Sequence, residues 1–189
     1  MPDSAGVSQV YDDQTLQALL DKEAIRDLVH NYSRGVDRQD FLLLRSLYAP
    51  DAMEDDHGGG FSGTAEGYVD WLETVMGRVQ NSSHMIHNHQ VVLASATTAQ
   101  GEVYLSGHTR LKVEGGWEDL THGMRYLDNY VKIDGRWAFQ RRTIVVDWLE
   151  AGPTQWDPSR PDTRDAEFGV PGPTDGSYRV LQHPFFRRR

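Results

Sequence analysis

"GMRYLDNYVKIDGRWAF", residues 123–139, holds two runs of alternating character folded about one dipeptide. Met124, Tyr126, Asp128 and Tyr130 share one face of an extended chain, together with His122 just upstream. Asp134–Gly135 between the runs is a strong signal for a tight hairpin. The period of two continues outward in both directions. It predicts strands over Ser83–Ala96, Gly101–Val113, Asp119–Ile133 and Arg136–Leu149. The connections are too short for crossovers, so these strands must run antiparallel.

Upstream the period changes to that of a helix. "DDQTLQALLDKEAIRDLVHNYSRGV", residues 12–36, opens on Asp12 and Asp13 and repeats apolar residues from Leu16 to Tyr32, with Gly35 as its expected stop. "RQDFLLLRSLYAPD" predicts a short second helix ended near Pro50. "TAEGYVDWLETVMGRVQ" predicts a third, with Val69, Leu72, Val75, Met76 and Val79 as its buried stripe. Helices packed on one face of a curled antiparallel sheet make an α+β domain, expected over residues 12–150. Beyond Glu150 the chain is rich in Pro and Gly, and residues 151–189 are expected to form an irregular tail. Trp156, Phe168 and Tyr178 are its candidate docking points, so the tail is expected to fold back over its own domain or over a neighbouring subunit.

Composition narrows the function. The chain has 189 residues, enough for one domain with a substantial core, and a formal net charge of -9. That charge, with no basic run inside the patterned region, argues against nucleic acid and anionic membranes as partners. The basic "FFRRR" at the end reads as a frayed tip. With no cysteine, the chain has no disulfide, thiolate nucleophile or zinc–sulfur site. The opening residues lack the basic and apolar regions of an export signal, and no window matches a membrane span, so a cytoplasmic location is expected.

Three histidines, His84, His87 and His89, crowd into "SSHMIHNHQVVLAS", residues 82–95. Alternation places Met85, His87, His89 and Val91 on one face, and His84, Ile86 and Asn88 on the other. A bulge would turn His89 outward; His84 is expected in solvent or facing a helix. His87 with His89 on one face, joined by Asp37 or Asp56, has the composition of a metal site. The alternative is acid–base chemistry, in which an imidazole tuned near neutrality moves a proton and a carboxylate on its other nitrogen orients it. Asp37 is a candidate for that carboxylate, if the first helix lies across the sheet. Otherwise it caps the next helix, since "DRQD" fits a helix start.

The order of helices, "YSRGVD" after the first of them, "IH" on the first long strand, "GMRYLDNYVKIDGRWAF" and the "RR" that follows resemble the SnoaL-like proteins of the nuclear-transport-factor-2-like superfamily. The similarity covers roughly Thr15 to Trp148. It implies a cone-shaped curved sheet enclosing a deep pocket. The family includes scytalone dehydratase, bile-acid dehydratases, hexachlorocyclohexane dehydrochlorinase, polyketide cyclases, steroid isomerases and lyases of lignin-derived diarylpropanes. The resemblance implies His87 as base, Asp37 as its partner, Tyr32 as the assisting phenol and Arg142 as the group that handles the leaving atom. The dehydrochlorinase has Lys where this chain has Tyr32, so its leaving-group chemistry need not carry over. His89, His57, Asp56, Tyr126 and His122 are the expected substrate contacts. No metal and no cofactor are expected, since the resembled eliminases need none.

Together these readings predict a cofactor-independent lyase. It would dehydrate a hydroxylated aromatic or polycyclic molecule, or cleave a C–C bond with release of a small aldehyde. A ring-shift isomerase or cyclase, or a non-catalytic binding module, would use the same scaffold. The partner is a hydrophobic or aromatic small molecule, and a dimer or trimer is expected.

Overall fold

The computed structural model describes residues 12–187 except positions 158 and 164. The opening residues read for an export signal, up to position 11, and the end of the basic tip fall outside them. Helix α1 spans Asp13–Asp37, α2 Phe41–Ser46 and α3 Ala65–Met76. Strands are β1 Tyr48–His57, β2 Gly63–Thr64, β3 Val79–Leu93, β4 Thr98–Val113, β5 Gly116–Ile133 and β6 Arg136–Pro153. A one-turn helix α4, Gly176–Val180, and a 3₁₀ turn at Pro184–Arg187 lie in the tail.

Local chemistry sets the helix ends. Asp12 accepts a hydrogen bond from the Thr15 amide at 2.6 Å and starts α1. Ile25, Leu28, Val29, Tyr32 and Val36 form its buried stripe, whereas Leu16, Leu19 and Leu20 are more than half exposed. Gly35 does not stop the helix, which continues to Asp37. Its role is close packing: a Cβ there would lie 2.7 Å from Leu44 Cδ2. Asp40, accepting from the Leu43 amide, caps α2, which leaves Asp37 free for another contact.

The sheet runs in the order β2-β1-β6-β5-β4-β3. The four long strands form the expected antiparallel meander, and β1 pairs with β6 in parallel. This six-stranded curved open sheet, carrying the helices on one face, is the expected α+β cone. Its interior is shared by Val29 and Tyr32 of α1, Tyr68 and Val69 of α3, and Val103, Tyr126, Tyr130 and Phe139 of the sheet, each no more than 2 % exposed.

One irregularity decides which residues face that interior. Ile86 pairs with Leu105 and His89 with Val103, so His87 and Asn88 stand opposite Tyr104 alone. This β-bulge shifts the alternation by one residue. Ser82, His84 and Ile86 point inward before it, and His89, Val91 and Leu93 after it.

The last strand runs to Pro153, beyond the expected Leu149, and the tail then returns along α1. Arg110 stacks on Trp156 at 4.6 Å, and Trp156 meets Phe168 edge-on. Asn81 donates to the Gly169 carbonyl. Arg38 donates to the Val170 carbonyl and to Asp175, and its own carbonyl accepts from the Gly172 amide. Arg34 reaches Ser177 and lies over the rings of Tyr178 and Phe186.

Candidate active site

The end of α1 meets β3 at Asp37. Its carboxylate accepts three hydrogen bonds from β3: from His84 Nδ1 at 2.7 Å, from the His84 amide at 2.9 Å and from Ser82 Oγ at 3.0 Å. Burial acts to raise the carboxyl pKa, but the His84 bonds and charge and the Ser82 bond outweigh it, and the result lies below the ordinary value. Asp37 is therefore an ionised partner that fixes Nδ1 of His84 as a donor and leaves Nε2 as the acceptor in the neutral ring. A cleft of about 400 Å³ opens beside the pair, lined by His30, Ser33, Arg34, Arg38 and Ile86.

This pairing corrects the expected one. His87 does not meet Asp37; it lies exposed on the outer face, with Nε2 2.8 Å from Ser106 Oγ. The bulge is the reason, since it places His84 inward where an even alternation turns His87 inward.

His122 stands in the same row of the sheet as His84, with Gly107 between them. A Cβ on Gly107 would lie 2.2 Å from His122 Nε2, so the glycine makes the space that this ring fills. The rings of His84 and His122 are 6.1 Å apart. Burial first, then the nearby His84 and His108, lower the His122 pKa to about 4, and its Nε2 has no hydrogen-bond partner. His122 is thus a neutral imidazole beside the pair.

Deeper in the cone lies a second polar group. Arg142, fully buried, forks onto Asp128 at 2.7 and 2.8 Å. Its guanidinium carbon is 4.2 Å from the ring centroid of Tyr32, 4.0 Å from that of Tyr126 and 4.1 Å from that of Phe139. Arg142 Nη1 remains without a partner. Tyr32 shares a 2.6 Å hydrogen bond with Tyr68, and burial, then the charge of Glu54, push its phenol above the ordinary range. Tyr126 joins the two groups. Its ring meets Tyr32 edge-on at 5.7 Å, and its phenol is pushed up by burial first, then by Tyr32 and, more weakly, by both Asp128 and Asp37.

The remaining expected contacts divide. His57 sits against Tyr68, ring to ring at 4.5 Å, with Glu54 beneath it, and so belongs to this deeper group. Asp56 does not face the interior; it is exposed and accepts from the Gly59 amide to lock the turn after β1. His89 does face inward, but its Nε2 lies 3.2 Å from Tyr130, whose hydroxyl donates to Asp128. It supports the Asp128–Arg142 pair. Burial lowers its pKa to about 4.

Sequence reasoning missed Glu54, Tyr48, Tyr68 and the pairing of His84. Glu54 stands three residues before His57, a spacing that the Asp55–Asp56 pair obscures. No cluster of three or more His, Cys, Asp or Glu side chains suited to a metal ion occurs among the described residues. No described helix is long and apolar enough to cross a membrane.

Comparison with known proteins places these features in context. The SnoaL-like domain family matches residues 17–143. An uncharacterized protein of Mycobacterium tuberculosis is 26 % identical over 123 residues, covering 65 % of this chain and 82 % of its own. The crystal structure of hexachlorocyclohexane dehydrochlorinase LinA-type3 from Novosphingobium barchaimii superposes with a TM-score of 0.67 at 25 % identity, over 76 % of this chain and 98 % of the other. A scytalone dehydratase-like protein from Novosphingobium aromaticivorans superposes with a TM-score of 0.66 at 24 % identity, over 75 % and 93 %.

Proposed function

The chain belongs to the SnoaL-like family, and from that membership we propose that it is a cofactor-independent lyase with His84 as its base. The substrate is a hydroxylated aromatic or polycyclic molecule that enters from the His84–Asp37 cleft and extends toward Tyr126 and Arg142. His84 Nε2 takes a proton from carbon, or from a hydroxyl whose loss fragments the molecule. Asp37 holds the ring in the accepting tautomer and stabilises the imidazolium that forms. Tyr32 donates to the departing or developing oxygen, and the free Nη1 of Arg142 is a second donor for it. Dehydration and release of a small aldehyde use these parts alike. The relatives that carry dehydratase and dehydrochlorinase names support elimination. The copies of the chain are expected to associate as a dimer or trimer.

The observation that carries the reading is the Asp37–His84 contact, in which a partly buried carboxylate spends three hydrogen bonds on orienting one strand and one imidazole. The test is a screen of hydroxylated diaryl, steroid and polyketide-like compounds for a spectral change without added cofactor, followed by variants. His84→Gln should reduce kcat by about 10²–10⁴-fold, the usual range for a lost general base. Asp37→Asn should cost a smaller factor, and His87→Gln should change kcat less than about twofold. A His87 variant as damaged as the His84 variant, or no turnover of any class, would sink the reading.

A further inference from the structure

Glu54, Arg142 and Asp128 stand side by side on β1, β6 and β5, since Glu54 and Asp128 are both register partners of Arg142. None is more than 3 % exposed. This buried row holds two carboxylates and one guanidinium, and the guanidinium fork belongs to Asp128. Glu54 is left with a hydrogen bond from the Tyr48 hydroxyl on Oε1 and none on Oε2. An uncompensated buried carboxylate is costly, so a further proton is needed close by. His57 supplies the place for it: its Nδ1, also buried and unpartnered, lies 3.5 Å from Glu54 Oε2.

The other nitrogen of the same ring leads toward the reaction site. His57 Nε2 is 3.5 Å from the Tyr68 hydroxyl, and Tyr68 is 2.6 Å from the Tyr32 hydroxyl. Phe61, Trp71 and Tyr48 wall this chain of groups with aromatic rings. We propose that Glu54 and His57 form a second proton-holding pair that resupplies Tyr32 through Tyr68 while Tyr32 protonates the leaving oxygen. This rests on the lyase reading for its last step only.

The step balances. His84 removes the proton from carbon, and the released electron pair forms the new double bond. The C–O bond breaks with its pair on oxygen, which takes the Tyr32 proton and leaves as water. Tyr32 takes the Tyr68 proton, Tyr68 takes that of His57 Nε2, and Glu54 holds His57 through Nδ1. Solvent later takes the proton on His84 and returns one to His57, whose side chain is 20 % exposed. The high pKa that burial and Glu54 give Tyr32 agrees with this, because a phenolate there is costly and must be reprotonated in the same event. Glu54, His57 and Tyr68 are positioning residues; in the proposed reaction Tyr32 alone of the four meets the substrate.

Two measurements on the full chain test the proposal. In imidazole ¹⁵N spectra near neutral pH, His57 should carry hydrogens on both nitrogens, and Glu54→Gln should reduce this to one. Tyr68→Phe, which removes a single oxygen, should shift both His57 Nε2 and the Tyr32 Cζ resonance. A singly protonated His57 in the unaltered protein, or Tyr32 and His57 unmoved by Tyr68→Phe, would overturn it. On a compound found to turn over, His57→Gln and Tyr68→Phe should lower kcat about 10- to 100-fold with KM held, and should shrink the solvent isotope effect. Unchanged kcat in Tyr68→Phe would overturn the relay. If no compound turns over, the lyase reading fails while the spectra still decide the pair. Should His57→Gln not fold, Tyr68→Phe carries both arms.

Discussion

His89 and His122 are uncharged in the fold, each with a pKa lowered to about 4, chiefly by burial. In the unfolded chain each takes up a proton near pH 6.5. Between those limits the unfolded state binds more protons than the folded one, so stability falls as pH falls from about 6.5 toward 4. The full effect is on the order of 3 kcal/mol for each histidine. Asp37, whose folded pKa is depressed, adds its loss only at lower pH, below the ordinary carboxylate range. Urea midpoints measured from pH 7.5 down to pH 4.5 should therefore decline, and a His89→Gln, His122→Gln double variant should decline less steeply. A slope equal to that of the unaltered chain would mean that these rings are already charged. Gly107 is a separate check at the same scale. Gly107→Ala places a methyl where His122 Nε2 sits, so the ring must move, at a cost of about 1–3 kcal/mol. The thermal midpoint should drop and the His122 ring resonances should shift.

At the scale of elements, what could be read in the sequence follows a physical rule: whatever depends on local repetition was legible. The stripe of α1, the Asp12 start of that helix and the Asp134–Gly135 hairpin are local, and each emerges as expected. Asp134 and Gly135 take the positive φ values, 50° and 77°, that this turn needs. His122 could be singled out because strand alternation aimed it, whereas Asp37, Tyr32 and Arg142 were singled out by the family resemblance. The bulge at His87–Asn88 carried no mark, because no Gly, Pro or charge distinguishes the extra residue. Every inward assignment on the first half of β3 was thereby inverted, and His84 exchanged places with His87. The parallel pairing of β1 with β6 was equally hidden, since the choice of a distant strand leaves no period in either segment. That pairing is what sets Glu54 beside Arg142. Deleting Asn88 should restore even alternation and turn either His84 or His89 out of the cone. Its imidazole spectra should then show one of these rings newly exchanging with solvent.

For the whole molecule, the tail is the feature of consequence. Arg34 and Arg38 line the cleft beside the His84–Asp37 pair, and tail residues Val170, Asp175, Ser177 and Tyr178 hold both of them. Phe185 lies against the main core. The tail thereby fixes two side chains of the cleft from behind. Truncation after Thr154 should leave a folded cone, seen as a single cooperative melt. The loss of these contacts should raise KM or lower kcat several-fold. Unchanged kinetics would make the tail an appendage.

The contact between Asp37 and the backbone of β3 reaches beyond chemistry. β3 ends the sheet, and the outward amide of His84 lies on its open rim. Such a rim is a template on which a foreign strand can add, the first step toward fibrils. Asp37 occupies that amide, and the bulge three residues further on bends the rim out of line. One carboxylate thus orients an imidazole and guards an edge. Its removal would free a docking position for another chain as well as releasing the His84 ring.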